Sequence, residues 1–156
     1  MSNRSCKRGH AALRRGRRSI PGQPYLVTFA THGRAPLFSD PMIGLAVAPA
    51  FVDPMTWRSS ALFAWVLMPD HWHGLVQLGE GDELSATIRR LKANTGRVAR
   101  QNLPEVERVW ATGFHDRALR TDEALRSVAR YLVMNPVRAG IVSRPGLYPF
   151  WDATWL

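Results

Sequence analysis

The sequence predicts an α+β fold, an antiparallel sheet with helices packed on it in a ferredoxin-like layer design. Three observations lead there. Strand-like and helix-like segments follow one another as β-α-β-β-α-β-α, without repeats. Two of the strand-like segments are joined by a turn short enough for a hairpin. The chain has 156 residues and is 46% hydrophobic, enough for one domain with a sizeable core and too short for two ordinary ones.

Residues 1–24 read as a flexible basic arm ending at Pro21-Gly22 and Pro24, and residues 25–156 as a single domain. Residues 25–31 (YLVTFAT) are β-branched and aromatic, a first strand. Residues 39–52 suit a helix capped by Ser39 or Asp40, with Pro49 bending or ending it. Residues 60–68 (SALFAWVLM) form an apolar run of strand length, and Pro69-Asp70 turns the chain into a strand over 71–78. A helix is expected over 83–102, where Leu84, Ile88, Leu91, Thr95 and Val98 make one buried stripe and Pro104 lies beyond the end. A strand is expected near 113–119. An acidic helix start follows at Thr121, Asp122 and Glu123, and Pro136 stops that helix.

The net charge of +9 suggests a polyanionic partner. Seven of those charges, from Arg4 to Arg18, belong to the acid-free arm. The remainder holds 14 of the 21 basic residues against all 12 acidic ones. An arm of that kind superficially resembles a transit peptide, but it lacks the apolar region of a secretory signal. Cys6 is the only cysteine, so neither a disulfide framework nor a thiolate metal site is available within one chain, and a reducing, cytoplasmic setting is the default. No apolar run approaches the length of a membrane span.

Two constellations carry chemistry. In MPDHWHGLV (68–76), strand alternation puts His71 and His73 on one side with Leu75 and Gln77. Trp72, Gly74, Val76 and Leu78 face the core. Two imidazoles roughly 7 Å apart at the backbone can converge on one cation, or can merely bond locally in a half-buried strand. In the last long helix, Leu125, Val128, Ala129 and Leu132 form the buried stripe. Tyr131 lies on the flank, and Ser127 and Asn135 share its face. A phenol and a carboxamide one turn apart could meet the two imidazoles, although Pro136 biases Asn135 away from helical angles. On the 83–102 helix, Arg89, Arg90, Lys92, Arg97 and Arg100 form a surface that is either solvated or phosphate-facing.

Three stretches, ALFAWVLMPDHWHGLVQL, WATGFHDRALRTDEALRSVARYLVMNPVRAGIV and YPFW, closely resemble the REP-associated tyrosine transposases in order and spacing. Those proteins are single-tyrosine HUH nucleases related to the transposases of small insertion sequences. The resemblance runs from about Tyr25 to Trp151. It implies the HUH nuclease fold, with His71 and His73 as metal ligands, Tyr131 as nucleophile and Asn135 as the polar residue completing the metal site. The third ligand varies among relatives.

The resemblance further implies an enzyme that cuts and rejoins single-stranded DNA near repeat hairpins through a 5′-phosphotyrosine, using Mg²⁺ or Mn²⁺. Arg89, Arg90, Lys92, Arg97, Arg117 and Arg138 are then candidate contacts to the DNA backbone. Neither a membrane nor a small-molecule substrate is expected, the location is the cytoplasm at the nucleoid, and the protein is a monomer or a homodimer. A histidine-triad hydrolase would need a further histidine where Leu75 stands. The remaining alternative is a protein of this family that binds DNA hairpins without cutting them.

Overall fold

The computed structural model describes residues 19–120 and 122–155. Five strands form one antiparallel sheet: β1 (Pro24–Ala30), β2 (Ala61–Met68), β3 (His71–Gln77), β4 (His115–Ala118) and β5 (Trp151–Ala153). They lie in the order β4-β1-β3-β2-β5, so the histidine strand is central. The helices are α1 (Pro41–Phe51), α2 (Pro54–Trp57), α3 (Leu84–Asn102), α4 (Asp122–Val133) and α5 (Asn135–Arg138).

Strands β2 and β3 form the expected hairpin, pairing Val66 with His73 and Met68 with His71. Residues directly opposed in a ladder share a face. Trp72 therefore stands beside Phe29 of β1 and Leu67 of β2, while His73 stands beside Thr28 and Val66. The Trp72 face carries an aromatic cluster. Trp72 stacks on Phe29 at 5.0 Å and on Phe51 of α1 at 5.7 Å, and Phe29 meets Trp110 edge-on at 4.7 Å. Helix α3 closes this layer with Leu84, Ile88, Leu91, Thr95 and Ala99 buried, and Thr95 accepts from the Trp110 indole at 3.0 Å.

The other face is covered too. Leu75 shares it with the histidines and is fully buried. Helix α4, with Leu125, Ala129, Leu132 and Val133 buried, packs against β2, β3 and β5, and α5 against β2. The sheet thus lies between two helical layers, and the histidines occupy the uncovered margin of the second.

Several boundaries differ from expectation. Asp40 caps α1 through a bond from the Met42 amide (2.9 Å), and Pro49 is accommodated in its last turn. Strand β5 was not foreseen, because three residues carry no usable periodicity. It lies along β2, opposing Trp151 to Val66. Helix α4 ends at Val133, and the chain resumes helical turns past Pro136 instead of stopping there. Most of the expected basic arm, 1–18, and Thr121 lie outside the described residues. Residues 19–23, assigned to that arm, are tied to the domain: Gly22 donates to the Leu78 carbonyl (2.7 Å) and Ser19 Oγ accepts from the Leu84 amide (3.0 Å).

The Trp72 ring lies along its own strand over Gly74, where a Cβ would fall 1.9 Å from the ring. Gly74→Ala is therefore expected to cost about 1–3 kcal/mol by overpacking, seen as a drop of several degrees in Tm by circular dichroism. An unchanged Tm would show that the ring can move aside freely.

Candidate functional site

His71 and His73 project from the central strand with their ring centroids 4.6 Å apart and their planes nearly perpendicular, at 88°. Each ring is anchored through Nδ1. For His71 the partner is Asp70 Oδ1 at 2.7 Å, and for His73 it is Thr28 Oγ1 at 2.7 Å. A carboxylate only accepts, so the proton of neutral His71 sits on Nδ1 and the lone pair on Nε2. Thr28 can accept from His73 in the same way. Among the described residues neither Nε2 has a hydrogen-bond partner. Anchored Nδ1 atoms with open Nε2 atoms are the arrangement in which histidines ligate a metal, the anchors fixing tautomer and ring direction.

The electrostatics act the same way. Burial, followed by the neighbouring His71, Arg138 and Arg34, pushes the His73 pKa down from 6.5 to about 4. At neutral pH that imidazole is an unprotonated donor. Arg34, whose backbone is left-handed (φ 57°), also faces Asp70, with Nε 3.6 Å from Oδ2. Asp70 thus joins His71 to a guanidinium, and two arginines from separate elements act on the histidine pair.

Tyr131 lies on the outer side of α4 and is 58% exposed. The guanidinium of Arg138 covers its ring, with Cζ 3.6 Å from the centroid. Asn135 opens α5 after the interruption at Met134, whose backbone stays in the right-handed helical region (φ −81°, ψ −5°). Asn135 Oδ1 accepts from Arg138 Nη2 at 2.9 Å, an orientation required by a guanidinium that can only donate. Its Nδ2 is buried without a partner. The carboxamide is thus half committed to Arg138 and half unsatisfied.

The donor set suits a divalent cation in part. Two neutral imidazole nitrogens with open positions around them fit Mg²⁺ or Mn²⁺ assisted by substrate oxygens, and fit softer divalent ions better. The described residues contain no group of three or more His, Cys, Asp or Glu side chains. The Asn135 amide oxygen is taken up by Arg138.

The expected DNA contacts fall into distinct places. Arg117 of β4 shares the histidine face by register and is exposed, and so is Arg138. Arg89 and Arg97 are exposed on α3, on the opposite side of the sheet. Arg89 lines a groove of about 660 Å³ between α3 and residues 107–114, together with Arg100 and Arg108. Arg90 is engaged internally, donating to Asp82 (2.8 Å), the Thr56 carbonyl (3.0 Å) and Thr87. Lys92 holds the carbonyls of Ala111 and Gly113. Both are committed to holding loops against α3.

Residues 21–134, which include both histidines and Tyr131, match the family model described as IS200-like transposase. The chain belongs to the IS200-like transposase family. Over 94 residues it is 30% identical to the REP-associated tyrosine transposase of Escherichia coli K12. That stretch is 60% of this chain and 54% of the relative, so the chain spans about half the relative's length. A solved structure of a REP-associated tyrosine transposase bound to a REP hairpin is similar with a TM-score of 0.66 at 26% identity, over 86% of this chain and 79% of that one. A putative transposase from Deinococcus radiodurans shares the fold at 18% identity and a TM-score of 0.56, over 74% of this chain and 92% of the other.

In this member of the IS200-like family, sequence reasoning missed the histidines' partners. Asp70 stood in plain view beside His71. Thr28 is 45 residues distant from His73, and only the β1–β3 register brings it there. No pattern marks Arg34.

Because its folded pKa lies below 6.5, neutral His73 contributes stability fully present above that value and lost as pH falls from 6.5 toward about 4. The metal-free protein should therefore melt at lower temperature at pH 5 than at pH 7.5. The difference should shrink in His73→Asn, and an equal difference in both proteins would remove His73 as its source.

Proposed function

We propose that this protein cuts and rejoins single-stranded DNA beside hairpins, with Tyr131 as the nucleophile and a divalent cation, Mg²⁺ or Mn²⁺, on His71 and His73. The observation that carries this reading is the histidine pair itself, with each Nδ1 anchored and each Nε2 open. Family membership and the hairpin-bound relative support DNA as substrate.

The Tyr131 phenol oxygen attacks the scissile phosphorus, giving up its proton to solvent, and the P–O3′ bond breaks. The 3′ oxygen leaves as a hydroxyl after taking a proton, and the 5′ phosphate stays on the tyrosine. Reversal by a 3′ hydroxyl reseals the strand without an external energy source. His71 and His73 would hold a divalent cation through their open Nε2 atoms, their rings fixed by Asp70 and Thr28, and that ion would polarise the scissile phosphate and offset its growing negative charge. Asn135 lies one turn beyond Tyr131 as the candidate oxygen ligand. Arg117, on the histidine face, is the candidate contact to the strand being cut, Arg138 is taken up by Tyr131 and Asn135, and Arg89 and Arg97 reach only DNA that wraps to the far layer.

A denaturing gel of the protein with labelled single-stranded DNA carrying the repeat hairpins next to its gene tests the reading. A covalent adduct is expected with Mg²⁺ or Mn²⁺, none with EDTA and none with Tyr131→Phe. Tight hairpin binding without adduct under any metal would establish the non-cleaving alternative. Removing the carboxylate behind His71, in Asp70→Ala, should weaken Mn²⁺ binding about 10- to 100-fold by calorimetry. Unchanged affinity would place the ion elsewhere.

A further inference from the structure

Arg138 makes three contacts with one planar group. Its guanidinium covers the Tyr131 ring at 3.6 Å, and Nη2 donates to the Tyr131 carbonyl at 2.7 Å and to Asn135 Oδ1 at 2.9 Å. The ring it covers is otherwise exposed on the outer side of α4. Between Tyr131 and Asn135 the helix is interrupted at Met134, and Pro136 lacks the amide that would have bonded the Leu132 carbonyl. The backbone itself stays helical through Met134 (φ −81°, ψ −5°), with bonds from the Met134 amide to the Arg130 carbonyl and from the Arg138 amide to the Met134 carbonyl, so the freedom left to the phenol lies in its side-chain torsions.

We propose that Arg138 is a positioning residue that clamps Tyr131 and Asn135 across the break between α4 and α5, setting the direction of the phenol. This rests on the reading of Tyr131 as nucleophile. An exposed tyrosine moves between rotamers in pico- to nanoseconds, so an unheld ring would sample the attacking geometry only part of the time. A cation over the ring face and a bond to the same residue's carbonyl restrict it. The bond to Asn135 Oδ1 adds a second consequence. The carboxamide oxygen cannot turn fully to a cation on the histidines while Arg138 holds it, so the clamp couples the placement of nucleophile and third ligand. Lysine cannot substitute, because a point charge does not stack and fork at once.

The chain has three tyrosines, and Tyr25 and Tyr148 are buried. Uniform 3-fluorotyrosine labelling thus gives three ¹⁹F resonances, with the Tyr131 line identified by its loss in Tyr131→Phe. In Arg138→Lys and Arg138→Gln that line alone should move toward the position of free fluorotyrosine, with Tm unchanged. On hairpin DNA both variants should form adduct roughly 10- to 100-fold more slowly at saturating DNA, with half-saturation within twofold of wild type. An unmoved ¹⁹F line overturns the clamp. So does a loss confined to half-saturation, which would make Arg138 a DNA contact, and so does a fall in Tm that accounts for the slower rate. If the wild-type protein forms no adduct, the nuclease reading fails, while the ¹⁹F line still decides the clamp.

Discussion

The packing of Trp72 over Gly74, between Phe29 and Phe51, is the constraint on which the site depends. A strand alternates, so the face on which Trp72 is seated determines the face that His71 and His73 present. The indole is fully buried among rings from β1 and α1. A one-residue slip of β3 would expel it into the histidine layer and drive two imidazoles into the aromatic core. Aromatic burial of this size outweighs any local preference of the histidines. The middle residue of the His-Trp-His run is thus the anchor of the two beside it.

The opposite face is where charge is managed. His71 and His73 are only partly covered, and the groups that hold them are polar: a carboxylate for one and a hydroxyl for the other. Burial above all, with the neighbouring His71, Arg138 and Arg34 adding to it, keeps His73 unprotonated, which suits a ligand. Positive charge beside unprotonated nitrogens gives the face a net attraction for phosphate while leaving the donors free. That sorting is absent from the sequence's total charge of +9, most of which belongs to the residues before β1.

Most elements could be read from the sequence because their periodicities are long and their punctuation strong. The 84–102 helix shows its buried stripe over five turns, and the β2–β3 hairpin is flanked by a Pro-Asp turn. The three-residue β5 and the continuation past Pro136 were not legible, since each depends on a neighbour: β2 for the first, and the packing of α5 for the second. At the site, alternation put His71 and His73 on one face, while the role of Tyr131 was suggested by the family resemblance and not by its spacing. They could not indicate Thr28 or Arg34, which arrive through register and a left-handed turn. Nor could helical spacing alone foresee that Arg90 and Lys92 face inward acceptors, because a basic helix face has the same sequence whether its charges meet water or carbonyls.

The break at Met134 follows from one missing hydrogen. With no amide proton on Pro136, the helix cannot continue its ladder at that step, and the chain restarts as α5 with Asn135 at its first position. At the restart the Asn135 Nδ2 is buried and the Arg138 guanidinium covers the tyrosine ring. The proline leaves the end of α4 short of a ladder bond, a need that a side chain can meet. The guanidinium fills that need with donors directed at an open helix end, where carbonyls lack their usual partners.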